Sequence, residues 1–307
     1  MIEVRNLSRY YGDFAAISNI SFSIQQHEVI GFLGLNGAGK STTLKILAGL
    51  LSPSDGEVFI DGINWIDNPN AFRSNIGFLP EEPPLYKEMT VREFLRYLAK
   101  LRKYPHKDIE QRIETVLILC QLADRGDQIV EELSLGYRKR VGIAQAIVHK
   151  PSLVVLDEPT SGLDPQQMVE LRQVIRGLST EATVLLSSHN LTEVAETCDR
   201  LLILHEGKLI AEGDRDSLSK RMDTSKQRID ILLSKKEGIK DEIHALTGIE
   251  HISFEEQDEH LLLHLTITCT TPELVSQMVQ SGFEIHQVMP TQSELEQIFL
   301  SLTGVKQ

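Results

Sequence analysis

The chain has 307 residues, 41% hydrophobic and 24% charged, the profile of a globular protein with room for two domains, which excludes a disordered or fibrous chain. Its 44 acidic residues outnumber 31 basic ones for a net charge of -13, so the surface as a whole repels phosphate backbones and no nucleic-acid partner is expected. Three dispersed cysteines, Cys120, Cys198 and Cys269, form neither a disulfide framework nor a metal cluster and suit a reducing compartment.

The N-terminal MIEVRNLSRYYG has no apolar core of a secretory signal, and no run reaches the roughly 18 apolar residues that cross a bilayer as a helix. The protein is therefore expected to stay inside the cell and to form no pore. Alternating apolar residues over Ile2–Val4, Ile20–Ile24 and Glu57–Ile60 predict short antiparallel strands contributing to a mixed sheet. Val29–Leu33 and Leu153–Leu156 are continuous apolar runs, the pattern of central parallel strands covered on both faces.

Between residues 81 and 150 the apolar spacing turns helical, notably over Thr90–Lys100 and Ile109–Leu119, and predicts a helical subdomain. Thr90 with Glu93 has the spacing of a capping box. A strand-helix-strand passage over Thr183–Leu204 closes the first domain. Beyond Gly213 the pattern reads as strand (Arg228–Leu233), helix (Gly238–Leu246), strands (Ile249–Glu255 and Leu261–Ile267), helix (Pro272–Ser281) and strand (Glu284–Met289), with a last helix over Ser293–Leu302. That order predicts a small α+β domain of the ferredoxin-like kind.

The first motif with chemistry is GLNGAGKST at residues 34–42, between a predicted strand and a predicted helix. Glycines at 34, 37 and 39 let the backbone approach a phosphate, the amides of Asn36 and Ala38 turn inward, Lys40 reaches the terminal phosphates, and the hydroxyls of Ser41 and Thr42 lie at the helix start, Ser41 facing magnesium. The second is LVVLDEPT at 153–160, which sets Asp157 and Glu158 where a buried strand ends. There Asp157 would hold magnesium and Glu158 would take a proton from, or orient, the water that attacks the terminal phosphate.

A third element, LSLGY at 133–137, precedes that strand, and with it residues 1–214 resemble the ABC ATPase family. The resemblance implies an α/β fold: a P-loop ATPase with a mixed sheet core and a helical subdomain at 81–150, followed by the accessory domain at 215–307. It further implies ATP and Mg2+ as cofactors, and a head-to-tail, nucleotide-dependent homodimer or a pairing with a similar ATPase. In that dimer Ser134 and Gly136 contact the phosphate held by the other subunit. The family's glycine and glutamine in this motif are replaced by Leu135 and Tyr137.

SGLDP at 161–165 resembles the segment that couples the two sites through Asp164, and His189 resembles the histidine that senses the terminal phosphate. Tyr11 matches the aromatic on which adenine stacks, with Tyr10 the competing assignment. In IGFLPEE at 76–82 the family's glutamine is replaced by Glu81, whose carboxylate would still approach the metal.

The C-terminal TQSELEQIFLSLTG resembles the tail of exporter ATPases that move drugs, lipids, polysaccharides or copper-related cargo or support gliding. The resemblance thus implies a cytoplasmic motor, peripheral on the inner face of the membrane, paired with a separate integral membrane permease. Glu81–Lys100, stiffened by Pro83 and Pro84, is where contact with that permease is expected. The alternative is a non-transport ABC ATPase acting on a ribosome or another macromolecular complex; the single uninterrupted cassette argues against it.

Overall fold

The computed structural model describes residues 1–188, 190, 194, 196–214, 217–218, 227–236, 239–244, 246–257 and 259–290. The chain divides into two compact units, Met1–Arg215 and Asp216–Gln307. Among the described residues no helix is long and apolar enough to cross a membrane.

The first unit opens with β1 (Ile2–Tyr11) and β2 (Phe14–Ile24), a hairpin closed at Gly12, whose φ of +58° suits a tight turn. Both strands are longer than the apolar alternation predicts. Polar residues and register shifts between Val4 and Tyr10 interrupt the period-two pattern without ending the pairing. With β4 (Asp55–Ile60) and β5 (Ile63–Asn64) they form an antiparallel sheet of their own, ordered β2-β1-β4-β5.

The second sheet contains β3 (Val29–Leu33), β6 (Ile76–Leu79), β7 (Leu153–Asp157), β8 (Thr183–Ser188), β9 (Arg200–His205) and β10 (Lys208–Gly213), in the order β10-β9-β3-β8-β7-β6. Five of these strands run parallel and β10 is antiparallel at the edge. β3 and β7 are buried at every residue, as their unbroken apolar runs require.

Helix α1 (Lys40–Leu47) lies between the sheets, against β2 on one side and β7 and β8 on the other. One core joins Ile2, Ile17 and Ile24 of the first sheet, Leu44 and Leu47 of α1, and Phe32, Val155 and Leu185 of the second. Full burial of such a side chain contributes about 1.5–3 kcal/mol, so the helix that starts at Lys40 is held from both faces.

After α2 (Pro69–Ser74) the helical part contains α3 (Val91–Leu101), α4 (Ile109–Leu119) and α5 (Leu135–Ile147), and α6 (Pro165–Leu178) follows β7. The capping box of α3 forms with both of its bonds, Thr90 and Glu93 each receiving the other's backbone amide. α5 rests directly on β6: a Cβ at Gly77 would stand 2.0 Å from the Ala146 carbonyl oxygen. Only glycine permits that approach, which sets α5 beside the segment that follows β6.

In the second unit β11 (Gln227–Ser234), α7 (Ile239–His244), β12 (Ile249–Gln257), β13 (His260–Ile267), α8 (Thr271–Gln280) and β14 (Ile285–Pro290) follow in that order. The strands form an antiparallel sheet ordered β12-β13-β11-β14. Ile229, Ile231 and Leu233 of β11 and Leu261, Leu263 and Leu265 of β13 alternate into a core with Ile243, Leu274 and Met278 of the helices. The helix expected over Ser293–Leu302 falls outside the described residues.

Candidate functional site

Residues 34–39 connect β3 to α1. Gly39 has φ +101°, and a Cβ there would lie 2.5 Å from the Ala16 carbonyl oxygen, so the loop closes only with glycine at this point. Gly39 is also the N-cap of α1, with no side-chain cap and no acidic residue in the first turn. The first amides of the helix and its positive dipole end are thereby left for an anion. The loop is fixed from behind, where Gly207 donates its amide to the Ala38 carbonyl and Ser18 donates to the Gly207 carbonyl.

Lys40 is only 7% exposed, and its ammonium donates to the carbonyls of Gly34, at 2.6 Å, and Leu35, at 3.3 Å. Burial pushes its pKa down, while Glu158 and then Asp157 oppose the shift. The side chain thus lies over its own loop, its charge facing the two carboxylates across the site.

Those carboxylates are set by the parallel pairing of β7 and β8, which aligns Asp157 with Ser187. The buried Ser187 hydroxyl donates to Asp157 Oδ1 at 2.7 Å and accepts the Glu158 amide at 3.0 Å. Glu158 has φ +46°, a left-handed conformation uncommon for a non-glycine residue and concentrated at functional sites. Glu81 enters from the segment after β6, its carboxylate accepting a hydrogen bond from Ser161 Oγ at 3.4 Å.

A cavity of about 450 Å³ collects these groups: Asn36, Gly37, Gly39, Lys40, Ser41 and Thr42 on one side, Glu81, Asp157 and Glu158 on another, and Tyr11 with Phe14 at the end of the first hairpin. Tyr11 lines this cavity and Tyr10 does not, and the Arg9 guanidinium covers the Tyr11 ring at 5.0 Å. Gly34 and Ala38 do not line the cavity; they shape the loop behind it. The Ser41 hydroxyl and the carboxylates of Asp157 and Glu81 make an all-oxygen donor set of the kind hard divalent cations take. Among the described residues no three acidic, histidine or cysteine side chains form a metal cluster by themselves.

Ser134 and Gly136 stand apart from this cavity. Ser134 is the N-cap of α5, its hydroxyl accepting the Tyr137 amide at 3.4 Å. The first turn holds no acidic residue, and Ser134 and Leu135 are exposed, so the positive dipole end of this helix also faces solvent without an opposing charge in its first turn. Tyr137, in place of the family's glutamine, has the guanidinium groups of Arg125 and Arg140 within 5.1 and 5.2 Å of its ring centre. Asp164 caps α6, accepting the Gln167 amide at 2.9 Å. His189 lies outside the described residues.

Three participants escape a reading of the motifs. Phe14 lies beyond a hairpin turn hidden by the broken alternation of β1. Ser187 meets Asp157 only through strand register. Lys139, in the basic run RKR, points inward because it follows the buried Gly136 by three residues on a helix; helical phase was the available signal.

The sequence profile of the ABC transporter family matches residues 17–161. The chain is 32% identical to the bacitracin transport ATP-binding protein BcrA of Bacillus licheniformis over 310 residues, covering 99% of this chain and 97% of that one. It is 31% identical to the linearmycin resistance ATP-binding protein LnrL of Bacillus subtilis over 313 residues, covering 99% and 98%. Among solved structures it is similar to the dimeric post-hydrolysis state of the cassette MJ0796 bound to ADP and Pi, with 26% identity, a TM-score of 0.61, and coverage of 70% of this chain and 98% of that one.

Proposed function

That the chain belongs to the ATP-binding subunits of ABC transporters, and so binds and hydrolyses ATP, is the premise from which we propose that it drives outward transport through a permease encoded as a separate chain. The full-length match to BcrA and LnrL, named for bacitracin transport and linearmycin resistance, supports export. The observation that carries the catalytic reading is the single cavity that faces Lys40, Ser41 and the amides of α1 toward Glu81, Asp157 and Glu158.

In this reading Tyr11 stacks the adenine, residues 34–42 bind the phosphates, and Lys40 leaves its loop carbonyls for the terminal phosphates. Glu158 accepts a proton from, or orients, the attacking water, and His189 senses the terminal phosphate. Ser41, Asp157 and Glu81 would hold magnesium, which when bound would supply positive charge to the phosphate oxygens. Two copies pair head to tail, so that Ser134 and Gly136 at the start of one α5 close over the nucleotide of the other.

We assign residues 1–214 to the ATPase domain, with its helical subdomain at 81–150, and 215–307 to an accessory domain. The latter is read as ferredoxin-like because its β-α-β-β-α-β succession carries the strand order β12-β13-β11-β14. Permease contact is placed on Glu81–Lys100, where the exposed Tyr86 packs edge-on against Tyr97. The protein then works in the cytoplasm, peripheral on the inner face of the membrane.

Glu158→Gln tests the assignment. The variant is expected to bind ATP, to lose nearly all turnover, and to sediment as a dimer with saturating ATP and as a monomer without it. Parent-rate hydrolysis overturns the role of Glu158, and a monomer at high concentration with ATP overturns the head-to-tail pair.

A further inference from the structure

Lys139 lies in the second turn of α5 and is 3% exposed. An ammonium withdrawn from water is costly unless it is paired and hydrogen-bonded, and here the pairing is specific. Nζ donates to the Glu81 carbonyl at 2.6 Å and approaches the Glu158 carbonyl at 3.5 Å. It therefore reaches the main chain of the two segments that carry carboxylates into the cavity. Burial lowers its pKa, while Glu81, Glu158, Glu82 and Asp157 all act to keep it charged.

Two buried lysines thus flank the acidic wall. Lys40 comes from the phosphate loop and lines the cavity; Lys139 comes from the helix that begins at Ser134. Glu81 is held at both ends, its carbonyl by Lys139 and its carboxylate by Ser161. Through these bonds α5, the segment after β6 and the turn after β7 share one anchor behind the carboxylates.

We propose that Lys139 is a positioning residue for ATP hydrolysis, fixing the main chain of Glu81 and Glu158 to α5 so that both carboxylates keep their places toward the phosphates. The proposal rests on the reading that Glu158 and Glu81 face the nucleotide. It gives α5 a mechanical link to the acids of its own subunit, in addition to the phosphate contact at its N-terminus.

Lys139→Met keeps an unbranched chain one atom shorter and removes its donors and charge; Lys139→Arg keeps the charge and donors. Both are measured beside Glu158→Gln in the full-length protein, for kcat, KM for MgATP, and hydrogen exchange of residues 81–82 and 158–161. Lys139→Met is expected to lower kcat about 10- to 100-fold, as loss of a supporting partner does. Its KM should stay within about threefold of the parent, exchange should quicken in those two segments, and Lys139→Arg should recover most of the rate.

Parent-like kcat in Lys139→Met, with Glu158→Gln inactive, overturns the role of Lys139 alone. So does equal loss of kcat and nucleotide binding in both lysine variants, which marks a packing role. An active Glu158→Gln overturns the underlying site assignment instead. Should Lys139→Met fail to fold, Lys139→Leu, which also lacks donors and charge, is held to the same kcat and exchange criteria.

Discussion

The Ser187 hydroxyl meets Asp157 Oδ1 at 2.7 Å, bridging two neighbouring parallel strands at the end where the cavity opens. The same hydroxyl accepts the Glu158 amide, so one buried oxygen orders two neighbouring acidic residues. Replacing Ser187 by alanine leaves the Glu158 amide without this acceptor and Asp157 without this donor. The expected cost is about 1–3 kcal/mol of stability and about a 10- to 100-fold loss of kcat. Urea unfolding and steady-state hydrolysis measure the two; a parent-like kcat removes Ser187 from the positioning of Glu158.

Arg112 joins three elements of the first unit. It is 6% exposed and extends from α4 to the Ile147 and Val148 carbonyls at the end of α5, at 2.7 and 3.3 Å, and to Glu181 at 2.7 Å. Arg112→Met leaves those buried carbonyls and the carboxylate without their donor, with an expected loss of about 3 kcal/mol in urea unfolding. Glu181→Gln should cost less, because Glu181 is partly solvated and keeps a hydrogen-bonding oxygen. Equal losses in the two variants would assign the effect to the ion pair and not to the capping of α5.

His149 makes the stability of the same unit sensitive to acid. Its Nε2 lies 3.0 Å from the Ile76 carbonyl, and burial, aided by the charge of Arg102, lowers its pKa from 6.5 to about 4. The folded state holds the neutral ring, so the unfolded chain binds the additional proton between these values. The contribution is therefore complete above pH 6.5 and is lost as pH falls toward 4. Its size is about 2–3 kcal/mol. In His149→Gln the stability difference between pH 7 and pH 4 should shrink by that amount, as measured by urea midpoints; an unchanged difference excludes His149 as the source.

The parts whose chemistry is local were legible in the amino-acid sequence. GLNGAGKST specified a phosphate loop because its glycines, lysine and hydroxyls act within one turn, and LVVLDEP specified an acidic strand end because an apolar run gives way to charge within seven residues. The capping box of α3 was legible for the same reason: both partners lie within four positions.

Features that join residues far apart in the chain emerged only with the packed fold. Polar residues in β1 concealed a hairpin that carries Tyr11 and Phe14 to the cavity. Strand register brought Ser187 to Asp157 across 30 residues, and the close approach of α5 to β6 brought Lys139 to Glu81 across 58. Sequence spacing carries no record of such meetings, because they arise from the packing of whole elements whose apolar faces are interchangeable in pattern and distinct only in shape.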